Sequence, residues 1–366
     1  MIVKLTDICD IQYGYAFDSS GFTNDSSYPP LVRIRDVKRG YSETFYNGDY
    51  PKEYILHSGD LLVGMDGEFN IARWQSQNAL LNQRVCKMTA KEGTDEEYLR
   101  FALSMALKAI EARTAFVTVK HLSAKELNKL ELNIPGLEEQ HRMASILSQI
   151  ESIIAMRQKE LQKLDDLINA RFVEMFGDLA DPTCKWEKCK LVDACSNPDD
   201  IKCGPFGTQL GKDEYTEEGV AVWEIPQINS EFKTFPTHFV TENKAEELDA
   251  YSIKPGDIAM SRKGNVGRCA VFPATFEKGI IHSDVLRIRI DENNALPEFM
   301  MRQLHYSGDV QHQIELVSSG AIMAGINVTK LKQILIYLPP IELQSEFVDF
   351  VAQVDKSKLI NISRVA

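Results

Sequence analysis

From residue 137 onward, apolar positions recur at Met143, Leu147, Ile150 and Ile154, pass over Arg157, and resume at Leu161, Leu164 and Ile168. Alternating spacings of four and three form the seam of a coiled coil. Neither proline nor glycine interrupts residues 137–176. The pattern predicts one helix of about 40 residues, spanning roughly 60 Å at about 1.5 Å per residue. After Pro340 the seam returns at Phe347, Val351 and Val354, then weakens through Lys358, Asn361 and Val365. The economical partner for each seam is the other, which predicts two long helices paired as an antiparallel coiled coil that holds the flanking domains apart.

Outside these helices the apolar runs are short, β-branched and punctuated by glycine and proline, as strands with turns should be. They also occur twice. Lys4-Leu5-Thr6-Asp7-Ile8-Cys9 returns as Lys190-Leu191-Val192-Asp193-Ala194-Cys195, and Gly14-Tyr15-Ala16-Phe17 as Gly204-Pro205-Phe206-Gly207. Leu31 to Val37, read as a strand, aligns with Val222 to Ile228. Gly59-Asp60-Leu61-Leu62-Val63-Gly64-Met65 aligns with Gly256 to Arg262, and Asn82-Gln83-Arg84-Val85 with His282-Ser283-Asp284-Val285. The last block, Leu132 to Gln140, matches Ile336 to Gln344. The offset grows from 186 to 204 while the order is kept, as expected when loops lengthen between fixed elements. Helical patches at Glu96–Ala112 and Pro297–Ile314 occupy equivalent places. The predicted fold is therefore α+β: two α/β domains in tandem pseudo-repeat, bounded as 1–135 and 178–339, with helices at 136–177 and 340–366.

Composition narrows the function. At 366 residues, 44% hydrophobic and 26% charged, the chain is an ordinary globular protein of two-domain size. No apolar run reaches the roughly 18 residues of a spanning helix and no signal-like segment opens the chain, which predicts a cytoplasmic protein that meets no membrane. Seven cysteines are too sparse for a disulfide framework. Cys184, Cys189, Cys195 and Cys203 cluster without the two-residue gap of a zinc ribbon, so no metal is assigned. The net charge of −12 argues against binding nucleic acid through bulk electrostatics; DNA contacts must be local or shared with a basic partner.

Catalytic motifs are not found. Tyr28-Pro29-Pro30 and Leu338-Pro339-Pro340 lack the asparagine of an adenine methyltransferase tetrad, and no phosphate-cradling Gly-x4-Gly-Lys-Ser/Thr loop occurs. Pro198-Asp199 with Glu242-Asn243-Lys244 is a poor nuclease pattern, because acidic residues are plentiful and the gap is long. A self-contained nuclease or methylase and a purely structural coiled-coil adaptor remain rival readings, separable by assaying the purified chain.

The doubled Leu-x-Asp-Ile/Ala-Cys opening, the Gly-Asp-Leu/Ile strand, Asn82-Gln83-Arg84-Val85 and the Pro-x-Leu/Ile-Glu-x-Gln start of each helix resemble the specificity subunits of Type I restriction–modification enzymes, over essentially the whole length. The resemblance implies a non-catalytic chain with two target-recognition domains, each reading half of a bipartite site in double-stranded DNA. It implies that the helices dock two modification (methyltransferase) subunits that methylate adenine N6, and that restriction/translocase subunits join them. S-adenosylmethionine, ATP and Mg would sit on those partners, with no cofactor on this chain. The second helix departs from the pattern in its shorter reach. A related phage-defence or solitary methylation system is the alternative setting.

Base readout needs Arg or Lys for guanine and Asn or Gln for adenine, presented from loops beside rigid strands. In the first domain the candidates are Arg33, Arg35, Asp36, Met65, Asp66, Asn70, Gln83, Arg84, Lys120 and His121. In the second they are Glu224, Gln227, Asn229, Ser261, Arg262, Lys263, Asn265, His282 and Ser283. The turn Ser261–Asn265 is the densest cluster.

Overall fold

The computed structural model describes residues 1–113, 121–177, 185–318 and 325–363. Two compact units, Met1–Met156 and Arg157–Ala366, divide the chain, and the boundary lies inside the helix Leu137–Phe176.

The repeat seen in the sequence is a repeat of strand order. In the first unit an antiparallel sheet runs Cys9–Tyr13, Val85–Ala90, Leu61–Gly64, Ile71–Arg73. In the second the order is Ile201–Cys203, Val285–Ile288, Ile258–Ser261, Cys269–Val271. Registers agree: Val85 faces Gly64 as Val285 faces Ser261. A second sheet in each unit holds a parallel pair, Leu31–Val32 with Ala79–Leu81 and Val220–Trp223 with Gly279–Ile281. The first strand of each copy closes on its last, Ile2–Lys4 on Glu131–Asn133 and Lys188–Lys190 on Leu335–Tyr337. The blocks most alike in sequence are thus the two ends that clasp each copy.

Leu61-Leu62-Val63-Gly64 is buried throughout because it is covered on both faces, which is why it reads as a continuous run rather than an alternation. Leu61 and Val63 pack with Met88, Leu99 and Leu103, whereas Leu62 packs with Trp74 and Val85. In the second unit Ile258 and Met260 face Leu286 and Met300, and Ala259 faces Trp223 and Phe272. Each fully buried Leu or Ile contributes about 1.5–3 kcal/mol. Gly14 and Gly204 are fixed by close approach: a Cβ there would lie 2.0 Å from the Asn82 carbonyl oxygen and 2.2 Å from that of His282.

Two expectations need correction. The runs Leu31 to Val37 and Val222 to Ile228 are not single strands; strand gives way to short helices Ile34–Arg39 and Ile225–Asn229. The second helical patch is two helices, Pro297–Tyr306 and Gly308–Ser318.

The helix Leu137–Phe176 forms as one 40-residue piece. In the second unit its residues Ile168, Phe172 and Phe176 are buried with Phe347, Val351 and Val354 of the helix Ile341–Ser363 and with Phe299 and Tyr337. Phe172 lies 5.4 Å and Phe176 5.6 Å, centroid to centroid, from Phe347. Arg171 pairs with Glu346 at 2.8 Å and Asp165 with Lys358 at 2.8 Å, so the two helices run antiparallel. Partial burial opposes the Lys358 charge, but Asp165 and Asp355 prevail and hold its pKa above the ordinary lysine value. Leu161 and Leu164 are half-buried at this contact. The earlier part of the seam departs from expectation. Met143, Ile150 and Ile154 are exposed and Leu147 half-buried; the residue of this stretch that packs into its own unit is Ala144.

Candidate nucleic-acid interface

In each unit two turns are tied together at one end of the central sheet. In the first, the turn after Leu61–Gly64 meets the turn before Val85–Ala90: the Met65 N–H donates to the Arg84 carbonyl at 2.9 Å, and the Leu122 N–H donates to the Met65 carbonyl at 2.7 Å. In the second, the Arg262 N–H donates to the Asp284 carbonyl at 2.8 Å and the Ile326 N–H to the Arg262 carbonyl at 3.1 Å. Gly67 and Gly264 take left-handed conformations (φ 70° and 69°) that let each turn fold tightly.

The side chains on this shared frame differ. In the first unit the two oxygens of Asp66 hold the Arg84 guanidinium and Nδ1 of His121. Arg84 and His121 remain about half exposed, at 55% and 54%, while Asp66 is 14% exposed. Arg33 and Arg35 are exposed, and with Gln83 and Arg84 they line a cavity of about 510 Å³. Arg35 donates to the Thr44 hydroxyl at 3.3 Å. Asn70 is half-buried at the end of its turn.

In the second unit Lys263 Nζ lies 2.7 Å from Asp284. Arg262 donates from Nε to the Ile326 carbonyl at 3.1 Å and from Nη1 to the Ser283 carbonyl at 3.5 Å, and its guanidinium lies 5.6 Å from the centroid of the exposed Phe206 ring. The Asp284 N–H donates to His282 Nδ1 at 3.2 Å. His282 and Ser283 are half-buried beside it, and Asn229 and Asn265 are exposed. Glu224 is engaged by Nδ1 of His238 at 2.8 Å.

Four candidates are removed from any interface by burial. Asp36 accepts from the Arg33 N–H at 2.9 Å and from the Ser42 hydroxyl at 2.9 Å; it caps the short helix behind Arg33 and is 1% exposed. Gln227 does the same in the second unit, accepting from the Glu224 N–H at 3.1 Å and donating to the Phe235 carbonyl at 3.0 Å. Met65 belongs to the apolar core, and Ser261 ends a strand covered on both faces. Lys120 lies outside the described residues. Sequence reading overlooked Phe206, Asp284 and His238. Asp284 carried a visible signal, since it stands opposite Arg84 in the duplicated block.

The family model described as the Type I restriction modification DNA specificity domain matches residues 1–166 and again 185–364. The chain is 29% identical to the Type I restriction enzyme EcoBI specificity subunit of Escherichia coli, over 96% of this chain and 78% of that one. It is 22% identical to the Type I restriction enzyme MjaVIII specificity subunit of Methanocaldococcus jannaschii, over 92% and 81%. Its fold is similar to that of the Type I restriction–modification S subunit from M. genitalium (TM-score 0.52, 16% identity, 100% of this chain and 91% of that one). A chain from a structural study of assembly and conformational transition of the type I R-M system is also similar (TM-score 0.51, 18% identity, 98% and 91%).

Proposed function

The chain belongs to the Type I restriction modification DNA specificity family, and from that premise we propose that its two domains, residues 1–135 and 178–339, each read one half of a bipartite target in double-stranded DNA. The helices at 136–177 and 340–366 dock two modification subunits. Those subunits carry S-adenosylmethionine and methylate adenine N6, and restriction/translocase subunits carrying ATP and Mg complete the assembly in the cytoplasm. This chain supplies address rather than chemistry.

The observation that carries the reading is that one backbone frame is built twice with different side chains on it. Equivalent N–H to carbonyl bonds tie the turns in both units, yet one frame presents Asp66, Arg84 and His121 and the other Arg262, Lys263 and Asp284. A frame kept for stability alone would have no use for divergent polar tips. Two independently folded readers of unlike half-sites would require them.

Exchanging residues 1–130 for the equivalent domain of another such subunit tests this. In a complex with its modification subunits, the methylated sequence should change in one half-site while the other persists. A methylome in which both half-sites changed would end the case for independent domains.

A further inference from the structure

Superposing the two frames through their hydrogen bonds exposes an inversion. Met65 and Arg262 occupy one position, because each donates to the carbonyl of the second turn and accepts from a residue of the segment that follows the helix, Leu122 or Ile326. Val85 and Val285 occupy another: each accepts from the glycine of close approach, Gly14 at 3.0 Å or Gly204 at 3.1 Å, and each N–H closes its own turn at 2.9 Å onto Asn82 or His282. It follows that Asp66 is equivalent to Lys263, and Arg84 to Asp284. Both positions form an ion pair in both units, with the charges reversed.

We propose that this inverted pair is a specificity determinant: it sets which of the two turns presents a fixed cation to the bases, and so makes the two half-sites unlike. The proposal rests on the reading of the domains as DNA readers and deepens it. In both pairs the cation is the more exposed member, 55% for Arg84 against 14% for Asp66, and 42% for Lys263 against 27% for Asp284. The carboxylate therefore backs the cation and aims it outward. Exposed pairs of this kind add little to stability, so a stability role does not explain why both units keep one.

The inversion places the cations differently. In the first unit Arg84 sits on the second turn and shares its cavity with Arg33 and Arg35. In the second unit Lys263 sits on the first turn beside Arg262, which is held against Phe206. The chemistry differs too. A guanidinium fork matches O6 and N7 of guanine in two parallel hydrogen bonds, whereas an ammonium is a point charge that tolerates more geometries. Asp66 is further steadied by His121, whose equivalent in the second unit is Gly325. The first reader is thus built for a stricter guanine contact than the second.

The test uses the full chain assembled with its modification subunits and a DNA library randomised in one half-site at a time. The double variant D66K/R84D keeps an ion pair with its charges exchanged. It should leave assembly and the second half-site intact and change the preferred bases of the first. The conservative variant Arg84→Lys, which keeps the pair and its sign, should lower discrimination for one guanine about tenfold, while Lys263→Arg should sharpen a position in the other half-site. Retention of the original first half-site by both D66K/R84D and Arg84→Lys would overturn the proposal. If D66K/R84D does not assemble, the outcome of Arg84→Lys alone decides. Exchange of residues 1–130 in the same library separates the two claims: if that exchange moves the half-site and the pair variants do not, the domain reading survives and the pair is not its determinant.

Discussion

At the residue scale, the polar groups that hold this fold are of the same types as those that read DNA. Asp36 and Gln227 are short-range acceptors beside exposed arginine or asparagine, which is what a base-contacting loop would offer, and only their burial identifies them as caps. The same ambiguity resolves the other way at Gln140 and Gln344. The Pro-x-Leu/Ile-Glu-x-Gln pattern was legible as a helix start, but the reason for its glutamine was not. Gln344 accepts from the Leu296 N–H at 2.9 Å and donates to the Pro339 carbonyl at 2.7 Å, so one side chain satisfies the starts of two helices. Gln140 repeats this with the Asp95 N–H at 2.9 Å and the Pro135 carbonyl at 3.0 Å. These partners lie 48 and 45 residues away in sequence, beyond the reach of a local pattern. Gln344→Ala should leave a part-buried N–H and a buried carbonyl unpaired and cost roughly 1–3 kcal/mol. Chemical denaturation of the second unit reads this; an unchanged midpoint would remove the glutamine from the fold's supports.

At the element scale, periodicity identified the long helix to within a residue and misread the short ones. Leu31 to Val37 is rich in β-branched residues and reads as strand. Yet Asp36 captures the Arg33 N–H, and Gly40, at φ 76°, ends the turn of helix begun there. Side-chain caps outrank propensity over so few residues. The heptad seam was legible through Ile168, but the buried residues beyond it, Phe172 and Phe176, lie outside the pattern, and its two parts differ in environment: Ile168, Phe172 and Phe176 are packed against Phe347, whereas Ile150 and Ile154 are exposed. The two parts should therefore respond differently to substitution. Phe347→Ala removes a ring from a cluster of aromatics and should cost about 3–5 kcal/mol. Ile150→Glu should change the stability of the chain by no more than about 0.5 kcal/mol, and should weaken assembly with the modification subunits if that face is where they dock. Equal destabilisation by both variants, measured by denaturation of the chain alone, would contradict the difference in packing.

At the scale of the whole molecule, the sequence and the fold agree on a duplication but not on an electrostatic strategy that one chain could carry out. The ordered blocks, with an offset growing from 186 to 204, made the repeated architecture legible, since length changes fall in loops and leave the strand order alone. Charge is the harder property to place. A protein that binds DNA through its phosphates usually shows a basic face; this chain carries 53 acidic against 41 basic residues. Its cations at the candidate interface are few, and Arg84 and Lys263 are already matched to carboxylates. Each phosphate neutralised steepens the fall of log K with log salt by about 0.9. The chain alone should therefore bind its target weakly and with a shallow slope, because few unmatched cations stand at the candidate interface to neutralise phosphates. If the modification subunits supply the phosphate contacts that this chain lacks, adding them should tighten binding and steepen the slope by about two or more. Fluorescence anisotropy on one labelled duplex across a salt series, with and without those subunits, gives both quantities. An isolated chain that matched the complex in affinity and slope would show that it holds DNA unaided, and the division between an addressing chain and a gripping partner would fall.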